Sequence, residues 1–266
     1  MLLIVSIVLN LVLSAHAARM TVFKGDKLED TSSLPFLAYL ILDDSACSGS
    51  LIGPNKVLTA GHCVCSEGLD YEDISVYLGI TDDEDTNEPY LVTDIAMTPK
   101  YKKLCKRSFT FMLTNLVNGF DLTIMTLEKS AKLGKFVGIG KVNLEDPVKV
   151  NTPLFLSGYG LDYADKEKDS GLLKTGNLKA SKCLLSSSEK LIMNDPICVN
   201  YEGRNIQNAG SGDSGGPIML ASTKEIVGVV SGEMGKVTLR NGKSVEIRFD
   251  IYPRLKNNLK FIQENL

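Results

Sequence analysis

An all-β sandwich or barrel is the fold class that this sequence predicts. From about residue 36 onward it is a succession of short runs rich in β-branched and aromatic residues, joined by pieces rich in Gly, Asp, Asn and Ser. The runs include FLAYLIL, ISVYLGI, YLVTDIAM, FDLTIMTL, EIVGVVSG and VEIRFDIY. Few stretches keep helical spacing, which argues against an α/β architecture. The exception closes the chain: in residues 254–266, RLKNNLKFIQENL, Leu255, Leu259, Ile262 and Leu266 recur at helical spacing. That pattern predicts an amphipathic terminal helix laid on the β structure.

At the other end, residues 1–17, MLLIVSIVLNLVLSAHA, are almost wholly apolar and finish in a small-x-small pattern. This predicts a signal peptide cleaved after Ala17 and a mature chain of 18–266, since the run is shorter than the roughly 20 residues that span a bilayer. Export makes disulfides possible, and all six cysteines, Cys47, Cys63, Cys65, Cys105, Cys183 and Cys198, lie in the mature part. Zinc is the competing use. Cys63 and Cys65 are one residue apart and only one histidine follows the signal, which is poor ligand spacing. The acidic stretch 81–89, TDDEDTNEP, offers oxygen ligands for calcium, but it lacks the ordered spacing and glycine of an EF-hand and is expected to be a solvated loop. With 29 basic and 32 acidic residues and no dense basic stretch, nothing points to nucleic acid. At 266 residues and 44% hydrophobic content, the chain suits one large domain or two ordinary halves.

The chemistry gathers at three places. In residues 209–217, AGSGDSGGP, the glycines free the backbone to bend sharply and expose the Ser214 hydroxyl. They also let main-chain N–H groups turn toward one point, and those of Gly212 and Ser214 are assigned as donors to a developing oxyanion. A serine hydroxyl needs a base, which is histidine in most such sites. His62, in VLTAGHC, is the only histidine after the signal. The third member should be a carboxylate sheltered from water that fixes the imidazole tautomer. Asp121 in GFDLTIMTL has Phe120, Leu122, Ile124, Met125 and Leu127 around it, and a buried aspartate without a partner would be unfavourable.

In motif and in the order TAGHC, DLTIM, GDSGGP, the chain resembles the trypsin and chymotrypsin family of serine proteases. CSGSLI at 47–52, LSGYG at 156–160, VVSG at 229–232 and IYPRL at 251–255 look like further landmarks, so the resemblance covers essentially the whole mature chain. It implies two packed six-stranded antiparallel β-barrels, about residues 20–134 and 135–266, with the active site in the cleft between them. It implies bridges Cys47–Cys63 and Cys183–Cys198, a secreted zymogen, a monomer, and no cofactor or metal. The implied partners are protein or peptide substrates and protein protease inhibitors, with neither membrane nor nucleic acid among them. Cys65 and Cys105 remain, and as both should border the cleft near His62 they are expected to pair.

Two departures stand out. In the family a freed Ile or Val ammonium pairs with the aspartate before the catalytic serine, here Asp213, but RMTVFKG replaces the usual activation sequence. Cleavage after Arg19 would expose Met20, while the closest alignment starts at Val22. Without a suitable ammonium the oxyanion hole would form poorly and catalysis would be weak. The substrate-binding set is Asn208, Ser231, Glu233 and Asp250. Asn208 stands where trypsin-like enzymes carry aspartate, and Asp250 and Glu233 replace glycines. Gly232 replaces a tryptophan, and the bridge that ties the pocket walls is missing, which suggests an adaptable wall. The reading is an endopeptidase working by acyl transfer; its rival is a protease homologue that binds or regulates.

Overall fold

The computed structural model describes residues 22, 25–42, 45–65, 71–82, 84, 88–105, 119–145, 147–162, 169–184, 194–200, 207–240 and 243–266. The expected signal peptide lies outside these residues, as do Asp83 and Asp85 of the acidic stretch. After the short β1 (Asp26–Lys27) come β2 (Leu37–Leu42), β3 (Ser45–Gly53), β4 (Lys56–Thr59), β5 (Ile74–Leu78), β6 (Tyr90–Met97) and β7 (Thr123–Leu127). Strands β2 to β7 close into a six-stranded barrel in the order β2-β3-β4-β7-β6-β5. Alternation sets the inward face: along β5, Ile74, Val76 and Leu78 are buried while Ser75 and Tyr77 are partly exposed. Helix α1 (Pro99–Cys105) follows β6. The run FDLTIMTL enters its strand only at Thr123. Before it, a turn in which the Leu122 N–H donates to the Phe120 carbonyl (2.8 Å) carries Asp121.

The second half holds β8 (Pro153–Gly158), β9 (Leu161–Asp162), β10 (Asp169–Ser170), β11 (Lys174–Lys179), β12 (Ile197–Asn200), β13 (Pro217–Leu220), β14 (Ile226–Val229), β15 (Gly232–Arg240) and β16 (Lys243–Tyr252). They form a five-stranded sheet, β1-β11-β8-β13-β14, a three-stranded sheet, β12-β16-β15, and a hairpin of β9 and β10. Bridges Ser181↔Cys198 and Gly228↔Arg254 join the two larger sheets. They complete a second ring, β11-β8-β13-β14-β16-β12, so the fold is two antiparallel barrels.

The halves share a core. Tyr159, Leu173, Met219, Ile226 and Val229 belong to the same buried cluster as the first barrel. The Tyr159 ring lies 5.2 Å from that of Tyr39, and its hydroxyl donates to the Ile80 carbonyl at 2.8 Å. The terminal helix is shorter than the spacing predicted: a 3₁₀ turn at Lys256–Asn258 leads into α2 (Leu259–Asn265). Leu255 and Ile262 are fully buried, while Leu259 and Leu266 are 38% and 53% exposed. The turn changes the angular step per residue, so an unbroken helical stripe does not survive. Burial of Leu255 and Ile262, worth roughly 1.5–3 kcal/mol each, together with the Asn258 amide donating to the Gly119 carbonyl at 2.7 Å, holds this end against the first barrel. Among the described residues no helix is long and apolar enough to cross a membrane.

Candidate active site

His62 sits in a 3₁₀ turn, Gly61–Val64, immediately after β4, and Asp121 sits in the turn before β7. These strands are neighbours in register, Thr59 opposite Thr123, so both turns leave the same end of the barrel. Asp121 is fully buried and well supplied with donors. Its Oδ1 accepts the His62 backbone N–H at 2.8 Å. Its Oδ2 lies 2.8 Å from His62 Nδ1 and accepts the Ser231 hydroxyl at 2.5 Å. This pairing favours the Nδ1–H tautomer and leaves Nε2 to accept a proton. The imidazole is 19% exposed on its side chain. Burial alone lowers its proton affinity, but the charge and hydrogen bond of Asp121 more than offset this, and the net pKa is raised above the ordinary 6.5.

The Ser214 loop docks on the first barrel. The Ser48 N–H donates to the Ser214 carbonyl at 2.8 Å, and the Ser48 hydroxyl donates to the Gly212 carbonyl at 2.8 Å while accepting the Tyr159 N–H at 2.9 Å. Fully buried Ser48 thus holds both ends of the Gly212–Ser214 tripeptide. The N–H groups of Asp213, Gly215 and Gly216 are engaged by the carbonyls of Gly210, Val230 and Asp213. Those of Gly212 and Ser214 donate to no group among the described residues, which leaves two main-chain donors available beside Ser214. Gly212 and Gly215, with φ of +92° and +82°, bracket this segment in the left-handed region that glycine adopts readily. The Ser214 hydroxyl makes no hydrogen bond to the His62 ring among the described residues. Such contacts are often loose before substrate binds.

Three disulfides link Cys47 to Cys63, Cys65 to Cys105 and Cys183 to Cys198. The first joins the neighbour of Ser48 to the neighbour of His62, and so couples the two docking points. Cys47, His62 and Cys63 form the one metal-competent cluster among the described residues, but the two sulfurs are bonded to each other. The second bridge anchors the end of α1. That helix brings up Tyr101, 1% exposed, whose ring packs over Gly61 and whose phenol feels Asp121 without the geometry of a hydrogen bond. Burial first, then the Asp121 charge, pushes the phenol pKa strongly upward, so Tyr101 remains a neutral shield.

Of the expected pocket residues, Ser231 belongs with Asp121 through its hydroxyl. Asp250 is buried on β16 and accepts the Tyr252 hydroxyl. Glu233 stands directly opposite it on β15, with its side chain exposed. Asn208 is half-buried, and its Oδ1 is enclosed without a hydrogen-bond partner. Asp213 is fully buried; Oδ1 accepts the Gly160 N–H at 3.0 Å and Oδ2 the Gly210 N–H at 2.9 Å. Val22 is fully buried in the second-half core, where a side chain at Gly176 would collide with it. Tyr101 and Ser48 were missed by sequence reasoning. PKYKKLC reads as a solvated, lysine-rich segment, and Ser48 differs little from any small strand residue.

A family model described as Trypsin matches residues 22–255. The cercarial protease of Schistosoma mansoni is 29% identical over 250 residues, covering 91% of this chain and 89% of that protein. Chymotrypsin-like elastase family member 1 of Macaca fascicularis is 23% identical, covering 83% of this chain and 78% of its own length. Among solved structures, human heparin binding protein superposes with a TM-score of 0.63 at 19% identity, covering 91% of this chain and 95% of that one. That last likeness concerns the fold.

Proposed function

The chain belongs to the trypsin family, and on that premise we propose that it is an exported serine endopeptidase in which Ser214, His62 and Asp121 cleave peptide bonds through an acyl-enzyme. The observation that carries this reading is the buried Asp121 carboxylate, which holds His62 Nδ1 at 2.8 Å and presents Nε2 as base. Ser214 Oγ attacks the carbonyl carbon as its proton passes to Nε2, and Asp121 stabilises the imidazolium. The oxyanion takes the N–H groups of Gly212 and Ser214. Collapse expels the amine, which receives the proton from His62; a water molecule then repeats the cycle on the ester. The apolar leader and the three disulfides support export.

A fluorophosphonate probe tests the reading. The exported protein should be labelled at Ser214, and Ser214→Ala should abolish the label. Because His62 must be neutral to act as base and its pKa is raised, the labelling rate should climb with pH through a midpoint above 6.5. A rate flat from pH 5 to 9 would argue against a His62 base. No labelling at any pH would favour the binding homologue, the reading to which the open Ser214–His62 contact lends its weight.

Specificity follows from the two carboxylates. Directly opposed residues of an antiparallel pair share a face, with Cβ atoms about 4.5–5.5 Å apart, so Asp250 and Glu233 concentrate negative charge on one patch of the β15–β16 sheet. The pocket is proposed to prefer Lys or Arg on the acyl side of the scissile bond. A peptide library should show at least about tenfold faster cleavage after Arg than after Leu or Phe, the ratio for 1.4 kcal/mol; comparable rates after all three would refute it.

A further inference from the structure

Ser48 is fully buried on β3, opposite Tyr39 of β2, and the catalytic steps above do not use its side chain. Its hydroxyl carries one proton, which goes to the Gly212 carbonyl at 2.8 Å, and its lone pairs take the Tyr159 N–H at 2.9 Å. A residue of the first barrel thus relays a hydrogen bond from the second half back onto the Ser214 loop. Among the described residues no other group donates to the Gly212 carbonyl. Loss of the hydroxyl would leave the buried Tyr159 N–H without its acceptor and the Gly212 carbonyl without its donor.

Gly212 needs support from outside itself. At φ +92° it lies in the left-handed region, and with no side chain to restrain it, its N–H is free to turn in more than one direction. An oxyanion donor helps only if it already points to where charge develops. Gly160 closes in the segment: a Cβ on Gly212 would come within 2.9 Å of the Gly160 Cα, and a Cβ on Gly160 within 2.8 Å of the Ser211 carbonyl oxygen. Two successive amides between β8 and β9 then hold two successive residues of the loop. The Gly160 N–H donates straight to Asp213 Oδ1 at 3.0 Å, and the Tyr159 N–H reaches Gly212 through the Ser48 hydroxyl. Tyr159 is a firm base for this, buried at 1% exposure with its own hydroxyl donating to the Ile80 carbonyl.

We propose that Ser48 is a positioning residue: its hydroxyl fixes the Gly212 carbonyl and, through it, the direction of the Gly212 N–H, so that both barrels set the oxyanion donor before substrate arrives. Ser48 touches no substrate; it acts through Gly212. The inference rests on the endopeptidase reading.

The test is Ser48→Ala in the exported protein, read by fluorophosphonate labelling and by steady-state peptide hydrolysis. In this variant the backbone N–H of residue 48 still reaches the Ser214 carbonyl, and His62 keeps Asp121, so nucleophile and base stay in place. Labelling rate and kcat should fall by about 10²-fold, the lower end of what loss of one oxyanion donor brings. KM should hold, because the interaction is made in the transition state, and the pH midpoint of labelling should not move. Ser48→Cys, whose thiol is a weaker donor, should fall in between, about tenfold down. Wild-type kcat in a folded Ser48→Ala, even with a lower Tm, would mean that the hydroxyl only packs, and overturns the inference. A slower rate with a displaced pH midpoint would put the damage at His62 and overturns it as well. Should Ser48→Ala not fold, Ser48→Cys decides, and a wild-type rate there overturns the inference. In each of these cases the wild type is labelled and the endopeptidase reading stands. No labelling of the wild type overturns both.

Discussion

Asp121→Asn is expected to lower kcat by about 10⁴-fold, the size of a tautomer error in Ser-His-Asp hydrolases, with little change in fold or in KM. The hydrogen bonds around the carboxylate dictate this. Oδ1 accepts the His62 backbone N–H, so the carbonyl of an asparagine would be kept on that side. Its NH₂ would then replace Oδ2 and point at Nδ1, 2.8 Å away. Two donors cannot share that contact, so His62 would turn Nδ1 into an acceptor and carry its proton on Nε2, where it cannot take one from Ser214. The Ser231 hydroxyl, which donates to Oδ2 in the native site, would have to rotate away. Steady-state kinetics decides the matter, with thermal unfolding to establish that the variant is folded. A loss below about tenfold would mean that Asp121 only packs beneath the ring.

Much of this site is local in sequence and was legible there. Glycines around Ser214, a single histidine beyond the apolar N-terminal run, and one aspartate among apolar residues each state a chemical need within a few residues of themselves. Strands with period-2 burial, such as β5, were legible for the same reason. What escaped is set by partners distant in the chain. KTGNLK shows little apolar alternation, yet it forms β11 because β8 and β1 satisfy its backbone on both sides. Asp121 reads as a strand residue, since apolar neighbours look alike in a strand and in the turn that precedes one. Ser231 was assigned to the pocket wall, and no local signal tells that its hydroxyl is aimed at a carboxylate 110 positions earlier. Leu259 and Leu266 of the C-terminal segment show the converse: helical spacing was present, but the α-helix begins only at Leu259 after a 3₁₀ turn, and these two residues at its ends stay largely in solvent.

Gly215→Ala should be the most damaging single added methyl group among the described glycines. At φ +82° an alanine is already strained by about 1–2 kcal/mol. Its Cβ would meet Thr59 Oγ1 at 2.0 Å, the Ser48 carbonyl oxygen at 2.3 Å and the Ala60 nitrogen at 2.9 Å. None of these can move cheaply, because Ser48 and Thr59 lie in paired barrel strands and the Thr59 hydroxyl is itself bonded to the Ser48 carbonyl at 2.8 Å. Relief must come from the loop retreating, which breaks the Gly215 N–H bond to Val230 and draws Ser214 away from His62. Overpacking adds about 1–3 kcal/mol, so total destabilisation should be about 2–5 kcal/mol, or a fall in Tm of roughly 10 °C at this chain length. Any protein that folds should lose at least about 10²-fold in labelling rate, the effect of a misplacement near 1 Å. Gly134→Ala is the internal control, since a Cβ there meets nothing within 4 Å. Wild-type Tm and labelling in Gly215→Ala would mean that docking of the Gly212–Gly215 loop onto β3 and β4 does not set the position of Ser214. Loss in Gly215→Ala alone, with Gly134→Ala unchanged, would place the reactivity of Ser214 in the rigid seam between the two barrels.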